Sequence, residues 1–216
     1  MPSSPYLLIV LLLWSCTGSP PSRESVDKNT APASTDALLP GTMEEIEAFV
    51  PEGYEVLDFE RADLNNDAQK DVLLILKSLK EEEAMEEEVL RPMLLLIRSF
   101  DRGLKLAAQN NKVVYCYRCG GTLGDPYIRT AVKGKYFSVE HYGGGGLFKF
   151  SKIVTFKFDE EKDHWLLHQD GSEYFELNPN SGDNAEAIVK TGERILTRND
   201  FGTVRFEEYD IYQASN

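Results

Sequence analysis

Residues 147–158 read LFKFSKIVTFKF. Val154, Phe156 and Phe158 alternate with Thr155 and Lys157. That is the period-two pattern of a strand with one buried face and one wet face. Working outward, similar short runs rich in β-branched and aromatic residues recur at 54–59, 72–77, 93–98, 104–108 and 113–117. Others lie at 127–132, 136–142, 164–169 and 203–207, separated by Gly, Asn and Asp. The run 72–76, VLLIL, is apolar at every position, so it belongs in the deepest strand. Long helices do not alternate with the strands, which argues against a parallel α/β sheet. The expected fold is mainly β: an antiparallel sheet stack, a barrel or a small propeller-like module. One short helix precedes it. Thr42, Met43, Glu44 and Glu45 form a capping-box pattern, Met43, Ile46, Phe49 and Val50 share one helical face, and Pro51 ends the element.

The chain has 216 residues, of which 42% are hydrophobic, enough for one large domain or two small ones. Lys plus Arg number 23 against 36 for Asp plus Glu, a net charge of −13. So acidic a balance argues against nucleic acid as a partner, whose binders are basic. It suits solubility or the capture of cations. Three Cys are too few for a disulfide scaffold, and three His limit zinc chemistry.

Tyr6 to Trp14 read YLLIVLLLW, an unbroken apolar run. A spanning helix needs about 20 apolar residues, so this run fits the apolar region of a signal peptide instead. Leu13, Trp14, Ser15 and Cys16 resemble a bacterial lipobox, with Trp14 where a small residue is usual, and the resemblance implies residues 1–15 as the signal peptide and Cys16 as the lipidation site. An ordinary cut near Gly18 is the alternative. Both place the protein outside the cytoplasm, and the lipobox places it in the bacterial cell envelope, lipid-anchored, on the periplasmic side or the surface. Residues 16–41 are rich in Ser, Thr, Pro and Ala and read as a disordered tether with a coil span of roughly 27 Å. Residues 42–216 then form a single mainly-β domain.

One segment carries recognisable chemistry. Residues 63–71 read DLNNDAQKD, with oxygen-bearing side chains at alternate positions. Calcium takes about 6–8 oxygen ligands, and a tight loop with this spacing can turn several inward. Asp63, Asn65, Asp67 and Asp71 would supply side chains and Gln69 its backbone carbonyl. The competing reading is an Asx-rich hairpin turn without an ion. The loop begins like an EF-hand, but the twelfth position is Leu74 and the flanks are strands. It more closely resembles the D-x-[DN]-x-D-G-x-x-D hairpin loop of FG-GAP/VCBS-like proteins, with Ala68 where that family usually has Gly. The resemblance spans residues 59–76 and implies a structural Ca2+ that ties two strands together. The chain is also similar to bacterial envelope lipoproteins that carry one such loop. The similarity rests on the loop, on 116–121 (CYRCGG) with Gly124, Asp125 and Pro126, and on 137–144 (FSVEHYGG). A likeness of format extends to envelope lipoproteins that inhibit peptidoglycan hydrolases.

Cys116 and Cys119 form a C-x-x-C. Outside the cytoplasm a local disulfide comes first, then free or redox-active thiols, then zinc. Three extended residues span about 10 Å and a disulfide needs Cα atoms within about 7 Å, so the bridge requires a turn at Tyr117 and Arg118. His164 and His168 have helical zinc spacing, yet they sit in a strand-like run that would hold them about 13 Å apart. The acidic run at Glu81–Glu83 and Glu86–Glu88 reads as a solvated loop, with a lure for a basic partner as the alternative. Gly143, Gly144, Gly145 and Gly146, flanked by His141, Tyr142, Leu147 and Phe148, read as a flexible hairpin or bulge. The functional alternative is an aromatic-rimmed loop that inserts into a partner.

Three function classes follow. The first is a non-catalytic lipid-anchored β module that binds a protein or glycan of the envelope. The second is an inhibitor or immunity protein against a peptidoglycan hydrolase, with residues 142–148 as the plug. The third is an envelope thiol enzyme that pairs Cys116 or Cys119 with His141. No G-x-S-x-G, H-E-x-x-H or phosphate-loop motif is present.

Overall fold

The computed structural model describes residues 43–84, 89–101, 103–179 and 186–213, all within the compact unit Ala37–Asn216. Thr42, Cys16, the tether and the second half of the acidic run lie outside the described residues. A short helix α1 (Met43–Glu47) leads into four strands: β1 (Tyr54–Ala62), β2 (Asp71–Ser78), β3 (Arg91–Arg98) and β4 (Leu104–Val114). A 3-10 segment, Tyr117–Leu123, crosses to five more: β5 (Tyr127–Lys133), β6 (Tyr136–Gly145), β7 (Phe148–Asp159), β8 (His164–Leu177) and β9 (Ile188–Thr197). A single-turn helix α2 (Arg198–Phe201) and a 3-10 turn, Phe206–Glu208, close the described chain. Each group of strands is an antiparallel meander in sequence order, one sheet of four and one of five. The stack is the correct member of the three expected architectures. Both sheets stay open, so neither a barrel nor a propeller forms.

The two sheets bury one shared core. Leu73, Ile75, Met93 and Leu95 of the first sheet face Phe137, Val139, Val154, Phe156 and Trp165 of the second. Val154, Phe156 and Phe158 are buried while Ile153 is 39% exposed, the alternation read from the sequence. The opposite face of the first sheet is also covered. Val72, Leu74, Leu76, Leu94 and Leu96 cluster with Ile46 of α1, with Phe49 and Val50 packed alongside. Covering both faces explains why β2 is buried from Asp71 to Leu76. Each such aliphatic side chain contributes about 1.5–3 kcal/mol of burial.

Three elements differ from expectation. Residues 104–108 and 113–117 are not two strands. β4 runs continuously from Leu104 to Val114 because bulges against β3 absorb the polar stretch. Residues 115–117 instead leave the sheet toward the 3-10 segment. The expected strand at 203–207 reduces to one bridge, Leu166 with Arg205, before the 3-10 turn. There Phe206 and Ile211 are fully buried and Tyr209 nearly so. Their spacing of three and two fits an inward plug better than an alternating strand. Asn110 donates from its buried Nδ2 to the carbonyls of Phe206 and Tyr209, which holds this plug in place. Finally β9 had no counterpart in the reading of the sequence. It is an edge strand without a buried position, so it carries no alternation to detect.

Candidate metal centre

The β1–β2 hairpin is closed by the pair Ala62–Asp71, and residues 63–70 form its loop. Leu64 points into the shared core at 2% exposure, and the buried Trp165 indole donates to its carbonyl at 3.2 Å. The rest of the loop is folded by its own acids. Asp63 accepts from the backbone N–H groups of Asp67 at 3.1 Å and Ala68 at 2.9 Å. Asp67 accepts from the N–H of Gln69 at 2.8 Å, and Asn65 accepts from the N–H of Asp67 at 3.2 Å. Asn66 and Ala68 both adopt φ of 66°. The left-handed turn that Gly would make with ease is therefore made by Ala68, at a strain of about 1 kcal/mol.

Asp71 is the buried member. It accepts from the N–H of Leu64 at 2.8 Å and from the N–H of Arg98 at 2.9 Å. It thereby staples the loop to β3. Desolvation raises its pKa above the ordinary carboxylate value. The two hydrogen bonds oppose that rise, and the charges of Asp67 and Asp63 add to it.

One carboxylate oxygen from each of Asp63, Asp67 and Asp71 falls within 4.8 Å of the others. Two oxygens bound to one calcium at ~2.4 Å can be no more than about 4.8 Å apart, so the triad meets the distance condition. The donor set is all hard oxygen, as calcium requires. Each of the three acids has at least one oxygen that accepts a single hydrogen bond, Oδ1 in Asp67, and so keeps a second lone pair for a ligand. Asn65 and Gln69 also belong to the cluster through Asp67, since their side-chain amides donate to its Oδ2 at 3.1 and 3.5 Å. Among the described residues, no Lys, Arg or His forms an ion pair with any of the three acids.

Elsewhere, Cys116 and Cys119 are joined by a disulfide with Cα atoms 5.1 Å apart. The turn it needs is the start of the 3-10 segment, where the N–H of Cys119 donates to the carbonyl of Cys116 at 3.0 Å. His141 is 1% exposed and faces inward. Burial holds its pKa down to about 3, with the charges of Arg91 and Lys152 acting in the same sense. Its Nε2 accepts from the N–H of Tyr115 at 3.3 Å. Its Nδ1 has no hydrogen-bond partner among the described residues, and the Lys152 backbone acts against the lowered pKa without overcoming it. Gly143, Gly144 and Gly145 are strand residues of β6, paired with Phe150, Lys149 and Phe148. Bare glycines are needed because the 3-10 segment crowds Gly143 and Gly145 while the paired strand crowds Gly144. A Cβ on Gly143 would sit 3.0 Å from the Cα of Gly120. Within this segment Tyr142 is half-buried, so the exposed part narrows to Gly146, Leu147 and Phe148. His168 meets the Tyr136 ring edge-on at 5.0 Å.

Two buried charge clusters escaped the sequence reading. Arg91, with its side chain fully buried, binds Glu81 at 2.8 Å and Asp125 at 2.7 Å. Glu81 is therefore not part of a solvated run, although Glu82 and Glu83 are exposed. The second cluster joins Lys152 to Asp170, with the Tyr209 hydroxyl donating to the same carboxylate at 2.8 Å. The available signal was a charged residue breaking an apolar alternation, as Lys152 does between Phe150 and Val154. No family model, curated protein or solved structure matches the chain.

Proposed function

We propose that the chain is a non-catalytic, lipid-anchored module of the bacterial cell envelope, a β stack that holds a structural Ca2+ in residues 63–71 and binds an envelope protein or glycan. The observation that carries this reading is the convergence of Asp63, Asp67 and Asp71 without an ion-paired cation among the described residues. The ion would neutralise acids that repel one another and would tie β1 to β2. It has no catalytic part in this reading, because the loop closes a hairpin and the acids are engaged by backbone N–H groups. The envelope address rests on residues 1–16 of the sequence. A thiol enzyme lacks its nucleophile while Cys116 and Cys119 are bonded to each other.

The test is a thermal melt of the protein in millimolar calcium or in EDTA, beside Asp67→Ala. Asp67 is exposed and its hydrogen bonds run to Asp63, Asn65 and Gln69 of the same loop. A calcium-dependent rise in Tm that Asp67→Ala abolishes is the expected result. Equal melting with and without calcium overturns the metal reading.

A second reading has one observation in its favour. Leu147 is 68% exposed and Phe148 43% exposed at the tip of the tight β6–β7 hairpin, an apolar point of the kind that plugs an enzyme cleft. Recovery of a peptidoglycan hydrolase by the wild type, lost in Leu147→Asp, would support it. Recovery that persists in Leu147→Asp would remove this tip from the reading.

A further inference from the structure

The inner face of the second sheet continues past the shared core. Along β7 the inward positions run Phe158, Phe156 and Val154 and then Lys152, Phe150 and Phe148. In β8 their partners are Asp170 opposite Val154, Ser172 opposite Lys152, Tyr174 opposite Phe150 and Glu176 opposite Phe148. The outer half of this face bounds a cavity of about 230 Å³ lined by Tyr115, Phe148, Phe150, Lys152, Ser172 and Tyr174. That is below the ~300 Å³ of the smallest drug-sized pockets, so it holds a single ring-sized group.

Glycines shape the opening. Phe150 and Tyr174 are cross-strand partners, yet their rings lean opposite ways. The Phe150 ring lies over Gly143 of β6, where a Cβ would meet its Cζ at 2.6 Å. Tyr174 lies against Gly192 of β9, where a Cβ would meet its Cδ2 at 3.4 Å. Between them Lys152 and the half-buried Ser172 line the bottom of the cavity. Phe148 stacks on Tyr174 with centroids 6.0 Å apart, and Tyr115 meets Phe150 edge-on at 6.0 Å. These contacts fix the rings before any ligand arrives.

The floor selects the ligand by charge. Lys152, with its side chain 4% exposed, is paired with Asp170, also 4% exposed, and donates to the Ser172 hydroxyl at 3.3 Å. The pair is neutral as a unit, so a free anion or cation gains little over water while losing its hydration. A hydroxyl-rich, uncharged ligand loses less and finds both a donor and an acceptor. Its other requirement is an apolar face for the aromatic walls. A pyranose ring has both properties: axial C–H groups on one face and hydroxyls around its edge.

We propose that the cavity between Phe148, Phe150 and Tyr174, floored by Lys152 and Ser172, binds one neutral sugar ring of a glycan. The inference rests on the reading of the chain as a binding module and names the ligand class and the place. It is independent of the metal loop, which lies at the β1–β2 hairpin.

The experiment is saturation-transfer NMR on the full chain in calcium, with three probes: cellobiose, the N-acetylglucosamine disaccharide and a digalacturonate. The expected result is transfer to at least one neutral probe at millimolar concentration and none to digalacturonate. Phe148→Ala and Tyr174→Ala should each weaken that binding at least about tenfold. Phe148 is exposed enough that its truncation leaves the fold intact, and an unchanged Tm verifies this. Asp67→Ala should still bind sugar, so the metal reading and the cavity can fail separately. The proposal is overturned if neither neutral probe binds, if digalacturonate binds as well, or if binding survives both aromatic truncations.

Discussion

The hairpin loop at 63–71 and the knot around Arg91 both gather carboxylates, and they balance them differently. In the knot, Glu81 and Asp125 each put both carboxylate oxygens on one guanidinium. Arg91 gains enough from its two acids to outweigh its desolvation, and its pKa is raised. In the loop, three acids fold the backbone around themselves and are joined by no ion-paired side chain among the described residues. Acids that come with their own cation are part of the architecture. Acids gathered without one leave a charge for something external to neutralise.

The largest effect should come from breaking the knot. Arg91→Leu strands two acids, one of them buried, and should cost about 3–5 kcal/mol in urea unfolding. A loss under about 1 kcal/mol would mean that the knot is solvated and the contrast false. Next is Asp71→Ala, which leaves the N–H groups of Leu64 and Arg98 without their acceptor. A loss of about 2–4 kcal/mol is expected even in EDTA, because this acid holds backbone as well as facing the triad. Opening the disulfide beside the knot with Cys119→Ser should cost about 2 kcal/mol, the small value expected of a short closed loop.

Calcium sharpens the contrast from the other side. At ten times its dissociation constant it should stabilise the wild type by about 1.4 kcal/mol, and Arg91→Leu by the same increment. An increment lost in Arg91→Leu would show that the two acid clusters are not independent. The smallest effect tests the charge balance near the knot. His141 is held neutral in the folded state to about pH 3, while in the unfolded chain it protonates near its ordinary value of 6.5. Between these values the unfolded state binds the extra proton, so stability falls as pH drops through 6.5. The loss at pH 6 should be about 0.8 kcal/mol, and it should vanish in His141→Gln, read by urea midpoints across that range.

Much of this was legible in residue order. Alternation at 154–158 marked β7, and the fully apolar 72–76 marked a strand covered on both faces. Two of the loop acids were visible because Asp63 and Asp67 bond only to close neighbours in the chain, while the reach of Asp71 to Arg98 was not. The knot was not, since Glu81 and Asp125 stand 10 and 34 residues from Arg91. A run of glutamates looks solvated until one of them finds a buried arginine. β9 was invisible for a different reason: an edge strand with both faces wet has no hydrophobic period. The aromatic cavity was hidden inside a pattern that was read correctly. Phe148 and Phe150 continue the inward alternation of β7, and only the end of the facing sheet turns core positions into cavity walls.

The sequence by itself determined what depends on neighbours along the chain. That covers the alternation of β7, the apolar run of β2, the acid spacing of the hairpin loop and the turn that the C-x-x-C requires. Tertiary structure alone decided what depends on the other sheet. It set which inward side chains are covered and which line a cavity, and which acid meets a guanidinium. It also made the plug at Phe206 and Tyr209 complete the core. The reason is physical. Backbone geometry and local hydrogen bonds act over a few residues, whereas burial and charge pairing are set by surfaces that the chain brings together from far apart.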